Sequence, residues 1–371
     1  RRRITAMTKP TPIFVNARFL CEPVTGIQRW ARETLAALDQ LIEDGKIDKD
    51  KYCFTLLSPT MPSDMPDYKH LQLKVKGVLR SHFWEQFELP LYARGYLLNF
   101  KNTAPIFKRN QSMQIHDLQT FANSETHSSI FNLLYRIVVP RAARKSKLLT
   151  CPSEYTATEI EKYLGVSRDK CLVTEEGHEH VLAFGQDESI LKSHNIEKGQ
   201  FLLAVSSLNP NKNFAAILRA MAIAKVPNKL VIAGGTNPKI FKGDGVESLP
   251  DNVVYVGRVS DEQLRSLYEN ALGFLYPSFY EGWGLPPGEA MQLGCPVISS
   301  NTSSLPQVCG DAALYCDPHD DASIAEQISK LCTTPELRDE LIAAGHAQAS
   351  KFSWAKVADK IWASIEKACN E

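Results

Sequence analysis

The chain has 371 residues, 44% of them hydrophobic and 23% charged, an ordinary globular composition with room for two α/β domains. Lys+Arg and Asp+Glu both total 42, so no global field draws in nucleic acid, and a nucleic-acid binder is disfavoured. The nine cysteines are scattered without a C-x-x-C pair, which argues against zinc or a redox couple and for reduced core thiols in a cytoplasmic protein.

Short apolar runs alternate with helical patterns along the whole chain, the mark of a parallel sheet with crossover helices. In the first half, strands are expected at Pro12–Ala17, Tyr52–Ser58, Leu71–Val75, Tyr96–Phe100, Met113–His116, Lys147–Cys151 and Lys170–Thr174. Helices are expected there at Gly26–Leu41, Phe83–Tyr92, Ser129–Arg144 and Ser153–Tyr163. The second half repeats the plan, with strands at Phe201–Val205, Leu230–Ala233, Val253–Val256, Leu272–Tyr276, Pro296–Ser299 and Ala313–Tyr315. Its helices are expected at Phe214–Ala224, Asp261–Asn270, Pro287–Leu293, Asp320–Thr333, Pro335–Lys351 and Trp354–Ala368. The polar stretch Gly185–Gln200 marks the boundary. Domains over 1–184 and 185–353 are therefore expected, each doubly wound and Rossmann-like, facing across a cleft where the carboxyl ends of their strands meet. No G-x-G-x-x-G follows the first strand, so dinucleotide binding is disfavoured. No apolar run reaches the ~18 residues of a membrane span, and the basic start Arg1–Met7 lacks the apolar core of a signal peptide. A cytoplasmic location is the expectation.

The most informative segment is Tyr280-Glu281-Gly282-Trp283-Gly284-Leu285-Pro286-Pro287-Gly288-Glu289-Ala290-Met291, between a strand and a helix. Pro287 suits the first helical position, while Gly282 and Gly284 let backbone amides turn inward. With the helix start behind them, those amides form a site for phosphate or sugar oxygens. The two prolines keep one helix from spanning both glutamates, so Glu281 and Glu289 need not face each other as a glycosidase pair does. Each can hold hydroxyls on a different part of one ligand. The plainer alternative is a turn cap at Glu281 and a dipole partner at Glu289.

This segment resembles the E-x7-E signature of the retaining family-4 glycosyltransferases of the GT-B fold, and the resemblance runs from Ile13 to the last helix. It implies that Glu289 holds the nucleotide ribose and Glu281 a hydroxyl of the donor sugar. The amides of Gly282, Trp283, Gly284 and Leu285 would meet the sugar and diphosphate. Ser206-Ser207-Leu208-Asn209-Pro210-Asn211-Lys212-Asn213 is similar to the family's phosphate loop, with Ser207 at the donor and Lys212 as the phosphate lysine. Asn211 replaces the family's arginine there, and Ser206 its glycine. Thr25-Gly26-Ile27-Gln28-Arg29-Trp30 resembles a segment that places Thr25, Gly26 and Arg29 at the donor phosphates. His116, ahead of Asp117, falls where a histidine approaches the donor sugar, without a general-base role being established. Val256-Gly257-Arg258-Val259 resembles the turn whose backbone, at Gly257 and Arg258, reads the base. Trp84-Glu85-Gln86 and Leu98–Pro105 also resemble family segments, of less clear meaning, and Thr174-Glu175-Glu176-Gly177-His178 ends the last strand of the first domain. The family fold returns the terminal helix, 354–371, to the first domain, which would bind the acceptor, while 185–353 binds the nucleotide-sugar.

The resemblance implies retention of configuration with neither metal nor cofactor, the nucleotide-sugar being a substrate. Lys212, Arg29 and helix starts would then neutralise the leaving diphosphate. GDP-mannose is the first choice of donor, ahead of dTDP- or UDP-linked rhamnose, glucose and related sugars. The acceptor would be a glycan or lipid-linked glycan of bacterial surface polysaccharide or lipopolysaccharide. A retaining phosphorylase or trehalose-synthase-like enzyme and a non-catalytic or hydrolytic nucleotide-sugar binder are the alternatives. The basic set Arg136, Arg141, Arg144, Lys145 and Lys147 either meets a membrane at the inner face of the cell or forms an ordinary solvated face.

Overall fold

A strand buried on both faces reads as a continuous apolar run, and such strands belong in parallel sheets. The computed structural model describes residues 9–122, 129–205, 209–235 and 250–370. Seven of its strands are β1 (Thr11–Asn16), β2 (Tyr52–Ser58), β3 (Gln72–Val75), β4 (Tyr96–Asn99), β5 (Gln111–Gln114), β6 (Leu148–Cys151) and β7 (Cys171–Val173). They form one parallel sheet in the order β3-β2-β1-β4-β5-β6-β7. Six more are β8 (Phe201–Val205), β9 (Lys229–Ala233), β10 (Val253–Gly257), β11 (Gly273–Tyr276), β12 (Val297–Ser300) and β13 (Ala313–Cys316). These form a second parallel sheet in the order β10-β9-β8-β11-β12-β13. In both sheets the chain works outward from a central strand and then returns to its other side. The order therefore reverses between β1 and β4, and again between β8 and β11. A reversal of this kind leaves a crevice at the carboxyl ends of the two strands, where ligands of doubly wound sheets bind.

Two compact units result, one of Arg1–Glu176 with Trp354–Glu371 and one of Gly177–Ser353. The division falls ahead of the Gly185–Gln200 stretch. The reason is local: His178 and His180 are fastened to the Leu285–Gln292 helix and the turn before it, as detailed below, and so belong with the second unit. Trp354–Asn370 packs in the first unit through Trp362, edge-on to Tyr52 at 4.8 Å, and through a Lys360–Glu175 ion pair at 2.9 Å. Val357, Ile361 and Ile365 make its buried stripe.

Element edges shift by a residue or two for identifiable reasons. The helical run from Ser81 to Tyr92 contains a π turn at Trp84–Glu88, and the helix from Glu154 ends in another at Ile160–Leu164. Among the described residues seven short elements escape the periodicity: Ala17–Cys21, Gln119–Ala122, Arg168–Lys170, Glu179–Leu182, Ser189–Ser193, Pro210–Lys212 and Leu305–Cys309. Each is five residues or fewer, too short to show a helical repeat. All nine cysteines are free thiols, and Cys151, Cys171, Cys295, Cys309 and Cys316 are buried. Among the described residues no helix is long and apolar enough to cross a bilayer.

Candidate functional site

The second unit's switch point is built from the loops that leave β8 and β11. Ser207 lies outside the described residues. Beyond it, the Asn209 side chain accepts from the Asn211 amide at 3.0 Å, starting a single 3-10 turn at Pro210–Lys212. Asn213 then takes the left-handed conformation at φ 59°, which asparagine tolerates better than most residues. Its amide donates to the carbonyls of Pro277 at 3.1 Å and Pro318 at 2.7 Å. Asn211 likewise donates to the Tyr280 carbonyl and accepts from the Phe279 amide at 3.0 Å. The residue standing in place of an arginine thus stitches two loops together and brings no charge.

That stitching delivers Lys212 to Glu281. Its Nζ lies 2.6 Å from Glu281 Oε1 and 2.9 Å from the Tyr276 hydroxyl, and 5.2 Å from the centre of the Tyr276 ring. Burial first, and then the Glu281 carboxylate, push the Tyr276 hydroxyl far above its ordinary range, so it stays protonated. Lys212 and Glu281 keep 18% and 12% of their side-chain surface exposed, enough for a ligand to reach both.

The glycine turn is held from below by two serines. Ser303 accepts from the Glu281 amide at 3.1 Å, and the Ser304 hydroxyl donates to the Glu281 and Trp283 carbonyls. The chain enters the Leu285–Gln292 helix through Gly284 at φ 127°, a conformation reserved for glycine. The helix starts two residues before Pro287, with Leu285 in first position and Pro286 in second. Both prolines lack an N–H, so of the first three helical residues only Leu285 offers an amide to a ligand. Glu289 is the fifth residue of the helix and stands in its second turn.

Two histidines of the stretch that opens the second unit complete this site. His178 is buried, its ring near-parallel to Trp283 with centroids 6.2 Å apart and edge-on to Phe352 at 5.7 Å. The Trp283 indole N–H donates to His178 Nε2 at 3.1 Å, which requires a neutral imidazole with its proton on Nδ1. Burial accordingly lowers its pKa to about 3. A β-carbon on Gly288 would fall 2.1 Å from His178 Nε2, so the glycine is what admits the ring. The Trp283 side chain is spent on this packing and its carbonyl on Ser304, so it is only through its N–H that its backbone could serve a ligand. His180 Nε2 meets Glu289 Oε1 at 3.1 Å, and the Tyr268 hydroxyl donates to Glu289 Oε2 at 3.4 Å.

At the end of β10, Gly257 takes φ 72°. Its carbonyl accepts from the Gly234 amide at 2.7 Å, tying the turn to β9, and the Arg258 side chain is exposed.

In the first unit, Thr25 caps the Gly26–Glu43 helix in a capping box with Gln28. Gln28 donates to Glu22 at 2.7 Å, and Glu22 takes Lys101 at 2.6 Å. Arg29 pairs with Glu33 at 3.6 Å. His116 lies beyond β5 rather than within it; its Nε2–H donates to the Phe100 carbonyl at 3.0 Å and its amide to Asn102 Oδ1 at 2.6 Å. Its ring is edge-on to Trp30 at 5.1 Å, and burial lowers its pKa to about 4. It is a neutral imidazole with one nitrogen committed. Beneath the switch point of this sheet, fully buried Glu85 takes Asn16 at 2.9 Å and Arg18 at 3.4 Å.

Of the residues named from the sequence, Glu281, Lys212 and the glycine turn are brought together here. His180 and Tyr268, which meet Glu289, and Ser303 and Ser304, which hold the turn, were not named. A His-x-His pair behind a strand end was the available signal for His180. The other three sit on ordinary helix and loop patterns that carry no such mark.

Residues 186–348 match the family "Glycosyl transferases group 1". The O-antigen chain mannosyltransferase B of Escherichia coli is 30% identical over 258 residues, covering 64% of this chain and 65% of that protein. The O-antigen chain mannosyltransferase RfbU of Salmonella typhimurium strain LT2 is 27% identical over 238 residues, covering 63% and 64%. The matched region thus spans just under two thirds of each relative. Among solved structures, sucrose-phosphate synthase from Thermosynechococcus elongatus superposes with a TM-score of 0.74 at 16% identity, over 97% of this chain and 99% of that one.

Proposed function

This chain carries the glycosyl transferases group 1 domain on a GT-B fold, and from that premise we propose that it is a retaining, metal-independent glycosyltransferase. It moves mannose from GDP-mannose to a growing bacterial surface glycan of the O-antigen kind. The observation that carries the reading is the meeting of Lys212 with Glu281 at 2.6 Å across 69 residues of sequence, at the switch point of the second sheet. A cation, two carboxylates and a glycine-lined helix start gather there. Such a set suits a sugar diphosphate: the ammonium takes phosphate charge, and the carboxylates take hydroxyls. Diphosphate binding would exchange one anionic partner of Lys212 for another, while Glu281 turns to the sugar. On this reading Glu289 holds the ribose. His116, Thr25, Gly26 and Arg29 are assigned to the sugar and phosphates on the family resemblance. The choice of mannose is supported by the two mannosyltransferase relatives.

Peripheral contact with the membrane bearing the acceptor belongs to the same reading. What supports it is an exposed stripe of Phe83, Phe87 and Leu91, with 69%, 59% and 64% of their surface open, beside Arg94, which donates to the Leu91 carbonyl at 3.4 Å. The basic set at 136–147 supports it less. Arg136 reaches the Thr120 carbonyl, Arg144 the Leu164 carbonyl and Lys147 the Ala368 carbonyl.

The test is thermal shift with GDP, UDP, dTDP and ADP on wild type and Glu289→Ala, followed by transfer from GDP-mannose with the product anomer read by NMR. A stabilising nucleotide raises the melting temperature by mass action; GDP is expected to do so for the wild type alone, and the product to keep the donor's configuration. No shift with any nucleotide refutes the donor site. A shift followed by donor hydrolysis without transfer favours the hydrolytic alternative.

A further inference from the structure

Glu289 is held on both oxygens by the protein itself. His180 reaches Oε1 and Tyr268 reaches Oε2, while the side chains of His180 and Glu289 retain 3% and 13% exposure. Tyr268 is buried, and burial together with the adjoining carboxylate keeps its hydroxyl protonated and a donor. The His180 ring is fixed in turn, edge-on to Phe184 at 6.1 Å and 80°. Glu289 is thus a carboxylate contacted on both oxygens by the protein while part of its side chain stays exposed. A vicinal diol offers two O–H donors in a fixed relation, and a carboxylate takes both well only when its plane is fixed to match.

We propose that His180 is a positioning residue that, with Tyr268, sets the Glu289 carboxylate to take both ribose hydroxyls of the donor nucleotide, and so gives the site its preference for ribose over deoxyribose. This rests on the reading of Glu289 as the ribose ligand. A residue that only anchored residues 177–184 would stabilise the unit and leave sugar discrimination alone.

The experiment measures, by calorimetry, the Kd of GDP and of 2′,3′-dideoxy-GDP, or of the nucleotide pair whose base gives the largest thermal shift. The proteins are wild type, Glu289→Ala, His180→Phe and His180→Gln, with melting temperatures taken alongside. Phenylalanine keeps an aromatic ring against Phe184 and removes the N–H, whereas glutamine restores a donor. The wild type is expected to prefer the ribonucleotide by roughly 10- to 100-fold, as hydrogen bonds to a charged group allow. His180→Phe should lower that preference to about threefold or less by weakening GDP alone, and His180→Gln should recover most of it. Full discrimination in His180→Phe overturns the proposal, as does an equal loss of both nucleotides with a fallen melting temperature. Loss of discrimination in Glu289→Ala with its retention in His180→Phe leaves the ribose reading standing and removes His180 from it. A wild type blind to the diol overturns both.

Discussion

Gly288→Ala places a methyl group where the structure has an imidazole. The new carbon would lie 2.1, 2.2 and 2.4 Å from His178 Nε2, Cδ2 and Cε1, and the ring has nowhere simple to go, packed against Trp283 and Phe352. Forcing the ring aside costs about 1–3 kcal/mol, as overpacking does. Breaking the bond to the Trp283 indole strands a buried N–H for another ~1–3 kcal/mol. Alanine returns about 1 kcal/mol as the better helix former. The net is a destabilisation of roughly 1–5 kcal/mol, centred near 3. For a unit the size of Gly177–Ser353 the central value lowers the melting temperature by about 6–12 °C. Urea unfolding of wild type, Gly288→Ala, His178→Ala and the double variant closes a thermodynamic cycle. Because the methyl group harms only by meeting the imidazole, the double variant should recover at least ~1 kcal/mol relative to additivity. A Gly288→Ala protein within about 0.5 kcal/mol of wild type, or strictly additive losses, would refute the reasoning.

Acid should act through the buried histidines. His116 titrates at about 4 against an ordinary 6.5, so the native state favours its neutral form. Its contribution is intact above pH 6.5 and is lost as pH falls from there toward 4, by about 3 kcal/mol in full. The stability of His116→Asn should therefore fall less steeply than wild type between pH 7 and 4, and parallel profiles would sink that assignment. For the exposed stripe, flotation with anionic liposomes should be lost in Phe83→Ser/Phe87→Ser at unchanged melting temperature, and equal flotation of the two proteins would end the membrane reading.

Much of the fold was legible because parallel strands buried on both faces must be apolar along their length. β2 and β8 begin and end where the pattern puts them. β5 was misplaced by two residues because Gln111, Ser112 and Gln114 are polar yet buried. The Gln111 side-chain Oε1 accepts from Asn99 at 3.1 Å, and its Nε2 donates to the Pro105 and Lys108 carbonyls at 2.8 Å each. Apolar patterning cannot see a strand whose buried positions are polar, Gln111 bonded to its neighbours and Gln114 buried without a side-chain partner. At the site, Glu281 and Glu289 were visible because glycine and proline around them constrain the backbone in recognisable ways. His180 was not, since its partner lies 109 positions away and nothing local records the meeting. The start of the Leu285–Gln292 helix was misjudged for a related reason. Proline marks a first turn without fixing which of its positions the residue takes.

The Trp354–Asn370 helix belongs to a unit whose other residues precede Gly177. During vectorial synthesis the ribosome must therefore release the whole of Gly177–Ser353 before the helix that covers Tyr52 and Phe54 exists. The segment made second is the first whose parts are all present, while the segment made first waits with an apolar face uncovered. Nascent chains stalled before Trp354 should be the species that holdase chaperones bind most firmly. The order in which this polypeptide is written is the reverse of the order in which its halves can be finished.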